Sequence, residues 1–165
     1  MTAEHRKVDD LLFQAAGRDS AASCEAYGRF REALLQHIRF EEKILLPMAQ
    51  RQRGGEPLPL AARLRLDHGV LAALMMLPPA DYTFRAVRAV LDAHNPLEEK
   101  QDGVYEQCES LAGLEVERLL AQGASAPRVP VSPWVDSPKV LAAAKRILAR
   151  AGYNPELLES AGEFK

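Results

Sequence analysis

Every histidine of this 165-residue chain falls in one of two copies of a single pattern. The first copy opens on Glu4-His5 and continues downstream as His37-x-x-x-Glu41-Glu42-Lys43. The second opens on Asp67-His68 and continues as His94-x-x-x-Glu98-Glu99-Lys100. The two lone histidines are separated by nearly the same offset as the two blocks, which is the mark of an internal duplication. On a helix, residues i and i+4 lie one above the other on the same face. His37 with Glu41, and His94 with Glu98, therefore each point an imidazole and a carboxylate in one direction.

Taken singly, such features are ordinary. One histidine on an apolar face is usually a hydrogen-bonded core residue, and one H-x-x-x-E is often a surface pair worth ~0.3–0.5 kcal/mol. Four histidines in register, with none elsewhere, point instead to metal. Both blocks lie within otherwise apolar stripes and so face inward, where an uncompensated carboxylate costs several kcal/mol. Four imidazoles and two carboxylates, from His5, His37, Glu41, His68, His94 and Glu98, are too many for one ordinary site. They suit two ions, with iron the first choice and manganese or zinc as substitutes.

The elements that must position these residues are helical, since apolar residues recur at three- and four-residue spacing and no strand-like alternation occurs. Val8, Leu11, Leu12 and Ala15 stripe a first helix ending near Gly17. A second, capped at Asp19 or Ser20, carries Phe30, Leu34, His37, Glu41, Ile44, Leu45 and Met48. A third runs from Leu58 to Leu77, striped by Leu60, Leu64, Ala72 and Met75. The fourth starts near Asp81, carries Val87, Leu91, His94 and Glu98, and is expected to continue, kinked, to a stop at Gly123. Pro47 and Pro96 should each kink a helix. Beyond the second block, Gln101, Asp102 and Tyr105 replace the apolar residues that follow the first. That stretch is expected to face solvent, or else to supply a polar lining near the metal pocket through Tyr105.

These stripes predict an all-α protein: an antiparallel, up-down four-helix bundle over residues 1–122. A Pro-rich linker over 123–137 follows, and Ser137-Pro138 then caps a fifth helix. Residues 138–165, helix and acidic tail, are expected to pack on the bundle or on a partner, or to form a homodimer contact. Trp134 is expected to pin the linker.

A net charge of −2 and pI near 6.1 give no reason to expect nucleic acid or an acidic membrane as partner. No apolar run approaches the ~20 residues needed to cross a bilayer, and the N-terminus lacks the apolar stretch of a secretory signal. A cytoplasmic location is expected. Cys24 and Cys108 read as reduced thiols acting as small core hydrophobes.

The pattern resembles the hemerythrin-like, or HHE cation-binding, domain family. The resemblance spans about residues 1–122 and rests on Glu4-His5, His37-x-x-x-Glu41-Glu42 with the following ILLP, Asp67-His68, and His94-x-x-x-Glu98-Glu99. It implies a non-haem diiron centre: His5 and His37 as terminal ligands of one iron, His68 and His94 of the other, and Glu41 and Glu98 as bridges. Glu99 is the alternative to Glu98. Oxygen-carrying members have H-x-x-x-H on the third helix, whereas the position four after His68 is Ala72, so one metal is expected to have an extra open position. Asp9, four after His5, is a weaker candidate for it. The resemblance further implies binding or sensing of oxygen, nitric oxide, peroxide or iron. A diiron oxidase or peroxidase is the competing reading, and a purely structural helical protein a third. No nucleophile–base pair or phosphate-cradling glycine loop supports a separate catalytic site.

Overall fold

The computed structural model describes residues 2–17 and 20–159, with the side chains of residues 2 and 20–23 outside the description. The cap expected at Asp19 or Ser20 therefore lies outside what is described. Among the described residues all regular structure is helical. It comprises α1 (Thr2–Ala15), α2 (Ser20–Phe40), α3 (Leu46–Gln52), α4 (Ala61–Leu74), α5 (Asp81–Glu99), α6 (Val104–Ala112), α7 (Val116–Ser125) and α8 (Pro138–Arg150).

Four of these helices build the bundle, and its antiparallel order follows from which residues each one buries. Two apolar clusters form, one around Tyr27, Phe30, Leu34, Leu71 and Val87, the other around Leu45, Met48, Leu64, Val104 and Cys108. From α2 into the turn that follows it, the chain passes from Leu34 in the first cluster, through His37 and Glu41, to Leu45 in the second. From α5 into α6 it passes likewise from Leu91, through His94 and Glu98, to Val104. α4 runs the other way, from Leu64 through His68 to Leu71, and α1 leaves His5 for Val8 and Leu12. Helices α1 and α4 thus oppose α2 and α5. The buried histidines and glutamates form one polar layer between two apolar ones.

Neither long helix is continuous. Between α2 and α3 the backbone widens into a π-helical turn over Glu41–Leu45, where the Leu46 N–H donates to the Glu41 carbonyl five residues back. This turn precedes Pro47, which has no N–H to donate. In place of a simple kink, the chain absorbs the proline by widening, a device common at functional sites. Pro96 stays inside α5, which ends three residues later at Glu99.

The expected fourth helix to Gly123 is instead three pieces. Asp102 adopts φ 59°, and a Cβ on Gly103 would lie 2.6 Å from the carbonyl oxygens of Glu98 and Lys100. The backbone can fold back this closely only with glycine there. Gly113, at φ 52°, marks the second break, with a 3-10 turn over Gly113–Glu115 leading into α7. Gly123 does not stop the helix. It lies within α7, where a Cβ would run into the Phe40 ring.

The segment after α7 lies along the bundle through backbone hydrogen bonds. Gln36 accepts from the Val129 N–H at 3.1 Å, Arg31 donates to the Ser132 carbonyl at 2.6 Å, and Val135 N–H donates to Met76 at 2.8 Å. Trp134, expected to pin this segment, stays 42% exposed. Ser137 caps α8 as expected, and Ala144 and Leu148 of α8, with Leu158 of the 3-10 turn Pro155–Leu158, join the first apolar cluster.

Candidate metal centre

The polar layer converges on Glu41 and Glu98, each 1% exposed. Two groups of side chains meet there: His5, His37, Glu41 and Glu98, and then Glu41, His68, His94 and Glu98. Within each group the candidate donor atoms all lie within 4.8 Å of one another. In the first, His5 Nε2 lies 2.9 Å from His37 Nε2 and 3.2 Å from Glu98 Oε2, and His37 Nε2 lies 3.2 Å from Glu41 Oε1. In the second, His68 Nε2 is 3.1 Å from Glu41 Oε2 and His94 Nε2 is 3.3 Å from Glu98 Oε1. Each carboxylate therefore gives one oxygen to each group. All six residues singled out from the sequence are brought together.

The electrostatics are those of a compensated buried cluster. Burial pushes the Glu41 carboxyl up, but the charge and close approach of His37 and the close approach of His68 hold it well below its ordinary value. Glu98 is held down in the same way by the close approach of His5 and His94, against burial and the charge of Glu41. Burial disfavours the charged imidazoles, yet bonds to the carboxylates outweigh it, so His5 and His68 are raised and His94 reaches about 10. Burial and the same two glutamates push the Cys108 thiol up to about 12, which makes it inert. Cys108 is buried, whereas Cys24 is exposed, contrary to its expected core position.

Protons alone do not satisfy this layer. Glu41 Oε2 and His68 Nε2 face each other at 3.1 Å, and Glu98 Oε1 faces His94 Nε2 at 3.3 Å, but these three buried atoms make no well-formed hydrogen bond. Atoms so placed cost free energy unless something binds them. A cation shared by imidazole nitrogens and carboxylate oxygens would satisfy all three at once, and the donor set suits a borderline or hard ion. The residues fit a metal.

Partners outside the layer hold the histidines in orientation. His5 Nδ1 donates to Glu99 Oε1 at 2.7 Å, and His68 Nδ1 donates to Glu42 Oε1 at 2.7 Å. Each bond turns the Nε2 atom inward and fixes the tautomer. Glu99, considered from sequence as an alternative to Glu98, occupies this outer place. His94 Nδ1 faces Asp67 Oδ2 at 3.5 Å. Asp67 is fully buried and accepts from the Tyr153 hydroxyl at 2.8 Å and from Arg63 at 3.1 Å. Arg63 donates in turn to the Ala151 carbonyl at 2.9 Å, which ties the C-terminal segment to the layer.

Sequence reading missed or misplaced several residues here. Gln101 and Asp102 do face solvent, but Tyr105 is 5% exposed. Its hydroxyl donates to Glu41 Oε1 at 2.6 Å and lies 2.8 Å from His5 Nε2. Burial, then the charges of Glu41 and Glu98, push this phenol far above its ordinary value. Ala72, expected on the inner stripe, is exposed, and Leu71 takes the inner place. The residue four after His68 thus points away from the layer. Asp9 pairs at the surface with Arg88 at 2.8 Å. Asp67 carried a legible signal, because it falls on the stripe Leu64, His68, Leu71 and Leu74 and so had to be buried.

A cavity of about 10 Å³ borders the layer, lined by His5, His37 and His94 with Leu34, Leu71 and Leu91. An open cleft of about 640 Å³, walled by Lys7, Arg29, Phe40, Leu120 and Arg128, also reaches His37. No described helix is long and apolar enough to cross a membrane.

Neither the curated proteins nor the solved structures yield a match to the chain. The family model of the hemerythrin HHE cation-binding domain matches residues 1–102, which contain both copies of the pattern. With its helical bundle and a buried histidine–glutamate layer fit for cations, the chain belongs to the hemerythrin HHE cation-binding domain family.

Proposed function

We propose that this chain holds a non-haem diiron centre and uses it to bind or sense a small ligand such as oxygen, nitric oxide or peroxide, or iron itself. In this reading His5 and His37 hold one ion, His68 and His94 the other, and Glu41 and Glu98 bridge them. The observation that carries it is the sharing of both carboxylates: each presents one oxygen to one pair of histidines and one to the other. Manganese or zinc are chemically admissible substitutes for iron. Residues 1–122 act as the metal-holding unit, with the described part of the C-terminal segment, 138–159, as an element docked on it.

Iron in such a centre supplies a redox-active Lewis acid for small ligands. The protein supplies the rest. Glu42 and Glu99 orient His68 and His5, and Leu34, Leu71 and Leu91 keep the adjoining cavity apolar. That cavity has room for about one water-sized molecule, which favours a diatomic or similarly small ligand over an organic substrate. The cleft ending at His37 offers an approach from solvent.

Metal analysis of protein produced with iron available should return about two ions per chain. Anaerobic titration of the reduced protein with nitric oxide or azide should then change its visible spectrum. A metal-free chain, or one closed four-ligand zinc, overturns the diiron reading, while two irons with no spectral response overturn ligand binding.

A further inference from the structure

The two candidate positions are not equivalent, and Tyr105 makes the difference. Its hydroxyl oxygen lies 2.8 Å from His5 Nε2, 3.4 Å from His37 Nε2, 2.6 Å from Glu41 Oε1 and 3.0 Å from Glu98 Oε2. It thus stands among all four donor atoms of the first group. No hydrogen bond links it to His68 or His94, among the described residues, and nothing corresponding to it stands at the second group.

These spacings have a metric meaning. Ligand atoms about 2.1 Å from one ion, at right angles to each other, are separated by about 3.0 Å. The phenol oxygen keeps that spacing from its four neighbours to within a few tenths of an ångström. An ordinary hydrogen-bonded tyrosine needs one acceptor, and Tyr105 has more neighbours than its single proton can serve. The bend at Lys100–Gly103 is what brings it there, since it starts α6 beside Glu98.

We infer that Tyr105 is a fifth protein ligand, binding through its phenol oxygen to the ion held by His5 and His37. The inference rests on the metal reading above. The oxygen gives an electron pair to the ion and its proton leaves to solvent, as for other ligands that deprotonate on binding metal. The charge of a bound cation favours the ionised phenol over the neutral one. The ion at His68 and His94 then has four protein donors, one fewer than the ion at His5 and His37.

Ferric iron bound to phenolate absorbs visible light through charge transfer and enhances tyrosine ring modes in resonance Raman spectra. The full chain, loaded with iron and oxidised, is compared with Tyr105→Phe for iron content and for both signals. The expected result is about two irons per chain in each protein, with the phenolate signals present in the wild type and absent in Tyr105→Phe. Two irons in the wild type without phenolate modes overturn the inference alone, and so does persistence of those modes in Tyr105→Phe. A wild type that takes up no iron overturns this inference together with the function on which it rests. The wild-type spectrum decides the matter even if the variant folds poorly.

Discussion

His68 Nδ1 donates to Glu42 Oε1 at 2.7 Å, from one copy of the duplicated pattern to the other. The reciprocal bond, from His5 to Glu99, has the same length. The second glutamate of each H-x-x-x-E-E block therefore serves the lone histidine of the opposite copy. Replacing either by alanine should lower metal affinity about 10–100-fold, the usual cost of removing such a support. Chelator competition checks this, with two ions still bound at saturation. Unchanged affinity in both variants would remove the orienting role.

Metal removal should cost fold stability. An ion bound only by the folded chain stabilises it by about 4 kcal/mol at a thousandfold excess over its dissociation constant. Melting curves with and without chelator should therefore differ clearly. Coincident curves would mean that the polar layer is satisfied without metal.

The metal-free chain should have a stability optimum on the acid side of neutral. Glu41 and Glu98 titrate below 4.5 in the folded state, so their contribution is present above 4.5 and lost as pH falls through the lowered values. His5, His68 and His94 titrate above 6.5, so theirs is full below 6.5 and lost as pH rises, for His94 through about 10. Both contributions coexist fully between 4.5 and 6.5. The melting temperature without metal should peak in that window and fall from pH 7 to 10. Bound metal replaces these protons, so the gain on loading should widen as pH rises. A gain independent of pH would contradict this coupling.

Two substitutions separate the observed geometry from the expected one. Ala72→His places an imidazole on the exposed face of α4 and should leave metal content and ligand spectrum unchanged. Gly103→Ala drives a methyl group against the Glu98 and Lys100 carbonyls and should displace Tyr105, seen as altered tyrosine signals in the metal-loaded protein. A new spectrum in the first variant, or none in the second, would go against the described faces.

The C-terminal helix should be integral to stability. Leu148 is fully buried, and Leu148→Ala should cost about 2–5 kcal/mol. Tyr153→Phe, which removes the donor to Asp67, should increase hydrogen exchange in α8 with a smaller loss. A chemical denaturation midpoint unmoved by Leu148→Ala would show that α8 is not docked in solution.

Local periodicity made the bundle and its six inward side chains legible in the sequence. His37, Glu41, His94 and Glu98 replace leucines on stripes that are otherwise apolar. The breaks after Glu99 and at Gly113 were less visible, because they depend on how closely one carbonyl approaches another. Tyr105 was legible only as the alternative to a solvent-facing stretch, since Gln101 and Asp102 beside it do face water. Ala72 was misplaced because helical spacing allows either i+3 or i+4 to face inward, and only the packing of α4 selects Leu71. Asp67 with Tyr153 is a contact across 86 positions, about half the chain, which no local pattern discloses.

The duplicated copies are interlocked. The group at His5 borrows Glu98 from the other copy, and the group at His68 borrows Glu41. Neither copy cut free would carry a complete set of donors, so one copy alone would need a second to hold a pair of ions. A single chain makes that pairing intramolecular. It also joins the fates of the two positions: opening either half of the chain withdraws a carboxylate from both, so ions held there would be released together.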